Sequence, residues 1–251
     1  MKKQEILKYI NASDINLTLF DCVASTNDVL KQEALNGAKE GTVIAALKQT
    51  GGKGRKGRVF ISNNGGIYLS ILVRPKTFNF DTTLITCATA VAVSKAIEEI
   101  SGKATQIKWV NDILIDTKKV CGILCESGIC GSDSFVVVGI GINVFKPQND
   151  FDDEIKDIAA CVFENEDEEI LSKLTAKVID NFFKEYNSID NLAFLDEYRK
   201  RSVCLGKEIS VYGKTAKALE IDDKCRLLVE YADGKQEYLS TGEISIKLKE
   251  L

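Results

Sequence analysis

The stretch Lys48–Phe60, KQTGGKGRKGRVF, constrains this chain more than any other. Four glycines (Gly51, Gly52, Gly54, Gly57) interleave with five cations (Lys48, Lys53, Arg55, Lys56, Arg58). Glycine admits backbone conformations that turn successive N–H groups toward one anion. Lysine adds a point charge, and arginine a fork that fits phosphate or carboxylate. The apolar runs Thr42–Leu47 and Gly66–Val73 on either side read as strands, so the loop hangs from the edge of a sheet. It has neither the GxxxxGK[ST] spacing of a Walker A loop nor the GxGxxG of a dinucleotide fold. A solvated basic turn is the plain alternative. A nucleic-acid-binding arm is a third reading, weakened by a net charge of -4. A small anionic ligand such as a nucleotide fits the local charge best.

With 251 residues the chain has room for one large domain, or a large one with a small one. Hydrophobic residues make up 45%, enough for a core, yet no apolar run approaches the ~18 residues of a membrane span. Glu5, Lys8 and Asp14 interrupt the N-terminal stretch before a signal-type apolar region forms, so a cytoplasmic, membrane-free protein is expected. The eight cysteines include no CxxC pair. The nearest set, Cys121, Cys125 and Cys130, has no zinc-site spacing, so no metal site is expected and the cysteines read as reduced core thiols. Histidine is absent, which removes Ser-His and Cys-His nucleophilic catalysis. The chemistry must run on Lys, Arg, Asp, Glu and backbone groups.

Helices are expected over Gln4–Ile10, after Ser25-Thr26-Asn27-Asp28, and over Thr82–Ile100, Leu171–Tyr186 and Asn191–Arg199. Ser25 and Asp28 have helix-cap spacing; Ser25 is either a cap alone or part of a helix start facing a ligand. Strands are expected over Leu17–Val23, Thr105–Trp109, Ile113–Asp116, Val120–Glu126 and Ser134–Val144, with a hairpin connection at Gly128–Asp133. Glu164–Glu169 reads as a solvated loop and helix entry. Five short strands follow Arg201: Lys207–Tyr212, Ala216–Ile221, Arg226–Tyr231, Gln236–Leu239 and Ile244–Leu248. They make the pattern of a small β-barrel, with turns at Asp222-Asp223 and Asp233-Gly234.

A second constellation is Lys108-Trp109-Val110-Asn111-Asp112, near Lys119-Val120-Cys121-Gly122-Ile123-Leu124. On adjacent antiparallel strands these segments bring Asp112 and Lys119 into one cleft, as a structural ion pair or as a working one. In Gly139-Ile140-Gly141-Ile142-Asn143 the glycines leave room for a ligand or a neighbouring backbone, and Asn143 would be costly to bury unsatisfied.

Taken in order, Ser25-Thr26-Asn27, Gln49 with GGKGRKGR, KWVND at 108–112, KVCGIL at 119–124 and GIGIN at 139–143 resemble the biotin protein ligases over nearly the full chain. The resemblance implies an α+β fold: a mixed-sheet, class II synthetase-like catalytic domain over residues 1–201 and a small SH3-like β-barrel over 202–251. It also implies that biotin and MgATP occupy adjacent pockets. The biotin carboxylate attacks the α-phosphate to give biotinyl-5′-AMP and pyrophosphate, and a lysine of the biotin carboxyl carrier protein then takes the biotinyl group. By the family pattern Ser25, Thr26, Asn27, Gln49, Lys53, Gly54, Arg55 and Lys119 surround biotin. Arg55, Arg58, Phe60, Lys108, Asn111 and Asn143 shape the nucleotide region. Lys119, Asp112 and Arg55 are the catalytic candidates, with Asp112 orienting or deprotonating the incoming amine, because a free lysine near pKa 10.4 is largely protonated at neutral pH.

Three positions depart from the family pattern. Lys53 stands at the first arginine of the usual GRGRxGR, keeping charge without the fork. Val110 replaces the proline of KWPND, which should loosen that turn. Phe60 stands where tryptophan is common and can stack without donating an N–H. The chain starts almost at the catalytic domain, so no winged-helix DNA-binding domain and no DNA partner are expected. The family also admits a homodimer through a sheet edge. A lipoate–protein ligase is the nearest alternative; a biotin- or nucleotide-binding module without catalysis is the other, opposed by intact Lys119, Asp112 and Arg55.

Overall fold

Alternate residues of a strand face opposite sides of its sheet. Along Gly66–Val73 every residue is buried, as expected of a strand covered on both faces. The computed structural model describes residues 1–75, 81–131, 133–147, 151, 153, 155–240 and 244–246. Within it, α1 (Lys3–Tyr9), β1 (Asn16–Phe20), α2 (Thr26–Leu35), β2 (Thr42–Ala46) and β3 (Gly66–Val73) lead to the long helix α3 (Thr82–Ser101). Then come β4 (Gln106–Lys108), β5 (Asp112–Ile115), β6 (Lys118–Cys130), β7 (Asp133–Asn143), α4 (Glu168–Asn187) and α5 (Leu195–Arg201). The sheet order is β1-β2-β3-β7-β6-β5-β4; β1 and β2 pair in parallel and all other neighbours antiparallel, giving the expected mixed sheet.

One face of this sheet presents Ile67, Leu69, Ile71 and Val73 of β3 with Val136, Val138, Ile140 and Ile142 of β7. It packs on α3 and, behind it, α4, through residues such as Val91, Ile97, Leu174 and Ile179. The other face presents Leu72, Phe135 and Val137, which pack with Ile44 against Leu30 and Ala34 of α2. Because α2 is short, it covers only one end of that face. Farther along, the same face carries Ser70, Gly122, Gly139 and Gly141, and there the site forms.

After α5 the strands β8 (Glu208–Val211), β9 (Lys214–Ile221), β10 (Leu227–Tyr231), β11 (Gln236–Leu239) and β12 (Ile244–Ile246) make a five-stranded antiparallel sheet in the order β11-β10-β9-β8-β12. Among the described residues β11 and β12 are not paired, so what is seen is an antiparallel sheet of five strands. The last expected strand, Ile244–Leu248, extends at 247–248 outside the described residues.

Several expected boundaries shift for local reasons. The first strand ends at Phe20, and Val23 makes only a single pairing with Gln49. Gly128 is a strand residue, not part of a hairpin loop: it pairs with Phe135, whose ring lies over the space a Cβ would fill. α4 starts at Glu168, three residues before the expected Leu171, because Asp167 caps it by accepting from the N–H groups of Glu169 and Ile170 at 2.7 and 3.3 Å. The helix expected from Asn191 begins at Leu195, after a single tight turn over Ile189–Asn191 and Leu192 at φ +52°. All eight cysteines are free; Cys87, Cys121, Cys204 and Cys225 are buried, but Cys22 is exposed and so departs from the expected core position.

Candidate active site

The basic loop folds back on itself. Gly54 N–H donates to Arg58 O at 2.7 Å and Phe60 N–H to Gly52 O at 2.9 Å. Lys56 and Gly57 take positive φ at the tip, where the chain must reverse within a few residues. This lays the loop over the sheet face beyond α2 and swings the Phe60 ring onto the floor made by Gly122 of β6 and Gly141 of β7, which pair with one another. A methyl at Gly141 would stand 2.6 Å from that ring, and one at Gly122 3.1 Å from both the ring and the Lys119 side chain. Gly139 leaves the space occupied by the Asn27 side chain. The glycines of GIGIN thus admit side chains of this protein, where a ligand or a backbone was expected.

Lys119 reaches the same face through a β-bulge. Ile113 pairs with Cys121 but Leu114 pairs with Lys119, leaving Val120 as the extra residue. Val120 and Cys121 both enter the core. The skipped register turns Lys119 to the side of Gly122, which is what a bulge beside a site does. There its ammonium lies 2.6 Å from Asp112 Oδ1, an oxygen shielded from water, and 5.8 Å from the centre of the Phe60 ring.

Two cavities meet at this point. The first, about 480 Å³, is lined by Ser25, Thr26, Asn27, Gln49 and Lys53, with Ile123, Leu124, Gly139 and Gly141 beyond. The second, about 740 Å³, is lined by Lys56, Arg58, Val59, Lys108, Trp109, Asp112 and, from the C-terminal sheet, Ile244. Gly54, Arg55, Phe60, Asn111 and Lys119 line both. Of the sequence candidates only Asn143 lies apart: it ends β7 opposite Gly66, its carbonyl accepts from Val162 N–H at 3.0 Å, and it lines neither cavity.

Hydrogen bonds fix the first cavity's walls. Ser25 caps α2, its Oγ accepting from Asp28 N–H at 3.4 Å, so the cap reading holds while Ser25 also lines the cavity. Gln49 Oε1 accepts from the N–H and the hydroxyl of Thr26 at 2.8 and 3.1 Å. Asn27 donates to Glu126 at 2.8 Å and to Leu124 O at 3.3 Å. Arg55 donates to Asn111 Oδ1 at 3.0 Å, and Asn111 donates to Ile123 O at 2.9 Å, so Asn111 holds Arg55 at the seam between the cavities. Lys53 pairs with Asp28 at 2.5 Å across the rim, and that hydrogen bond holds its ammonium pKa above the ordinary lysine value.

Val110 is buried, and its carbonyl accepts from the Tyr198 hydroxyl at 3.0 Å. Trp109 donates its indole N–H to Cys225 O at 2.9 Å. Burial pushes the Cys121 and Cys125 thiols up from their ordinary values, which makes them poor nucleophiles. Among the described residues no group of three or more His, Cys, Asp or Glu could hold a metal ion. Ser70, Glu126 and Gly122 escaped individual notice in the sequence: a strand serine and a strand glutamate carry no spacing signal, and their partners lie 43 to 99 positions away.

Residues 19–143 match the biotin/lipoate A/B protein ligase family, and residues 205–247 match the biotin protein ligase C-terminal domain. The chain is 38% identical over 230 residues to the bifunctional ligase/repressor BirA of Bacillus subtilis, covering 87% of this chain and 70% of that protein. To the biotin--[acetyl-CoA-carboxylase] ligase of Mycobacterium tuberculosis it is 28% identical over 232 residues, covering 88% of this chain and 85% of the relative. Among solved structures, the biotin protein ligase of Aquifex aeolicus in complex with biotin and ATP superposes with a TM-score of 0.76 at 30% identity, over 92% of this chain and 98% of that one. With a glycine floor, a basic loop laid over it and a lysine turned into the seam of two cavities, the chain belongs to the biotin protein ligase family.

Proposed function

We propose that the protein is an ATP-dependent biotin–protein ligase, with biotin in the first cavity and the nucleotide in the second. The observation that carries the reading is the shared seam: Gly54, Arg55, Phe60, Asn111 and Lys119 line both cavities. A carboxylate at the inner end of one meets a phosphate at the inner end of the other between two cations. Bringing two anions together is the electrostatic problem of adenylation, and positioned charge is its usual remedy.

In the first step a biotin carboxylate oxygen attacks the α-phosphorus, the bond to the bridging oxygen breaks, and pyrophosphate departs with that electron pair. Lys119 and Arg55 offset the repulsion and neutralise charge on the phosphoryl oxygens. Lys53 and Gly54 belong to the biotin side; Arg58, Lys108 and Phe60 belong to the nucleotide side. In the second step a carrier lysine amine attacks the acyl carbon, the bond to the adenylate oxygen breaks, AMP leaves with that electron pair, and Asp112 orients the amine or accepts its proton. Magnesium, where it takes part, comes with the nucleotide phosphates rather than from a cage of protein carboxylates.

The partner in this reading is the biotin carboxyl carrier protein of acetyl-CoA carboxylase or a related carboxylase. The catalytic unit spans 1–201, and 202–251 forms an SH3-like barrel; five antiparallel strands with a bulge between Leu228 and Val229 support that architecture. A cytoplasmic location follows from the reading and agrees with eight free cysteines. No helix of the described residues is long and apolar enough to cross a membrane. A homodimer fits the same fold, with β1 and β4 as the outer strands of the large sheet. The test is purified protein with ATP, a carrier domain, and either biotin or lipoate. Biotin on the carrier lysine is the expected result; labelling by lipoate alone, or by neither acid, would reject the proposal.

A further inference from the structure

Behind the first cavity lies a chain of hydrogen bonds that can be read in only one direction. It starts at Glu126 on β6 and ends at Thr26 on the cavity wall, passing through Asn27 and Ser70. Asn27 is 5% exposed and Ser70 is fully buried, so each polar atom must find its partner inside the protein.

A carboxylate and a carbonyl only accept. Glu126 Oε2 and Leu124 O therefore both require the amide nitrogen of Asn27 on their side, at 2.8 and 3.3 Å. The Asn27 carbonyl oxygen then faces Ser70, 2.6 Å away, and takes that hydroxyl's single proton. With its proton committed, Ser70 offers only lone pairs to the Thr26 hydroxyl at 2.8 Å.

The second neighbour of Thr26 is fixed in the same way. Ser62 gives its proton to Phe60 O at 2.9 Å, so it must accept from Gln49 Nε2, also at 2.9 Å. That orientation turns Gln49 Oε1 toward Thr26, where it accepts the backbone N–H. The Thr26 hydroxyl thus faces two acceptors and no donor within the protein. Its proton stays on the protein side, and a lone pair faces the cavity. Beside it, Ser25 Oγ accepts from Asp28 N–H and keeps its own proton to donate. The wall offers one donor next to one acceptor, the complement of a ring carbonyl flanked by a ring N–H.

We infer that Ser70 and Glu126 are positioning residues that fix Thr26 as a hydrogen-bond acceptor toward the first cavity, so that the site selects acids whose ring presents an N–H. The inference rests on the assignment of that cavity to biotin. It adds a reason for rejecting a dithiolane acid such as lipoate: that ring has no N–H, and filling the wall with it would leave the cavity-facing lone pair of Thr26 and the proton of Ser25 unpaired.

Titration calorimetry on the whole protein with biotin, the analogues with either ring N–H replaced by oxygen, and those with it replaced by CH2 tests this. A hydroxyl free to rotate would donate to the ring oxygen and favour that analogue over the methylene one. A hydroxyl fixed as acceptor sets lone pair against lone pair. For at least one of the two ring positions the oxygen analogue should then bind on the order of tenfold more weakly than the methylene analogue. Ser70→Ala and Glu126→Leu should shrink that gap to about threefold or less, whereas Glu126→Gln, which keeps an accepting oxygen for Asn27, should preserve it. An oxygen analogue that binds as well as the methylene one at both positions overturns the inference, even if no variant folds. A gap unchanged in Ser70→Ala and Glu126→Leu removes those two residues from it. Failure of biotin itself to bind would reject the parent assignment and the inference together.

Discussion

Replacing Gly139 by alanine should damage the site severely. A Cβ there would overlap Asn27 Oδ1 and stand 2.9 Å from its Cγ and Nδ2, closer than side chains tolerate. The β7 backbone cannot give way, because it is hydrogen-bonded to β3 on one side and β6 on the other. Asn27 must therefore swing out. It then gives up its bonds to Glu126, Leu124 and Ser70, and fully buried Ser70 must turn its proton to the Thr26 hydroxyl. Overpacking of this kind costs about 1–3 kcal/mol, and the broken hydrogen bonds of Asn27 about 1–3 kcal/mol more. Loss of glycine's freedom in the unfolded chain returns about 0.4–1 kcal/mol. The net destabilisation should be roughly 2–4 kcal/mol, read as a lower midpoint in urea at unchanged slope. Biotin affinity should fall by at least about tenfold, because Thr26 loses its alignment with Asn27 and Ser70. Gly141→Ala is the companion: its methyl meets the partly exposed Phe60 ring, so the stability loss should be smaller while biotin binding still suffers. Unfolding of Gly139→Ala within about 0.5 kcal/mol of the parent, with biotin affinity within threefold, would refute the reasoning.

Three further outcomes follow from the same geometry. Lys119→Ala should reduce biotinyl-AMP formation by at least about a hundredfold, measured by biotin-dependent ATP–pyrophosphate exchange; near-normal exchange would take Lys119 out of the first step. Asp28→Asn should speed biotin dissociation by a few fold at most, since the Lys53–Asp28 pair is about half exposed and such pairs contribute about 0.2–1 kcal/mol; stopped-flow displacement at low and high salt checks it, and a salt-independent effect would contradict an ionic cause. Glu98 feels burial, which raises its pKa, but the Arg201 guanidinium and the Thr105 N–H and hydroxyl outweigh burial and hold it below the ordinary glutamate value. A lowered pKa gives stability that is present above the ordinary value near 4.3 and lost as pH falls through the lowered one. Glu98→Gln should therefore flatten the acid limb of the stability profile below about pH 4.5, and an unchanged limb would show that the pair is not linked to folding.

Much of this architecture is written locally in the chain. The cap at Ser25, the 20-residue helix α3 and the apolar runs of β3 and β7 each depend on neighbours a few residues away, and local pattern reveals them. The loop and the Asp112–Lys119 pairing are legible for the same reason, since the two residues sit on adjacent strands of one short hairpin. What stayed hidden depends on register. Nothing in KKVCG announces that Val120 is a bulge, and without it Lys119 would point into the core. Gly128 reads as a turn until Phe135 is seen lying over it from the next strand. Ser70 and Glu126 look like ordinary strand residues until Asn27 is set between them.

The placement of Asp112 raises a different question, because the strands carrying it are the weakest in the sheet. β4 has three residues and β5 four, at the outer end of the order. Such short strands hold little by themselves. The turn between them is secured from outside instead. Tyr198 of α5 binds the Val110 carbonyl, and Trp109 reaches across to the Cys225 carbonyl of the C-terminal unit, both in buried positions. The same unit meets the catalytic loop where the Lys56 ammonium lies 4.8 Å from the centre of the Tyr212 ring, and it contributes Ile244 to the second cavity. The three contacts bracket the seam: one holds the segment bearing Asp112, one the tip of the loop bearing Arg55, and one the cavity wall. The C-terminal unit therefore helps to frame the seam, and the placement of Asp112 and Arg55 depends in part on its uncharged residues Tyr212, Cys225 and Ile244.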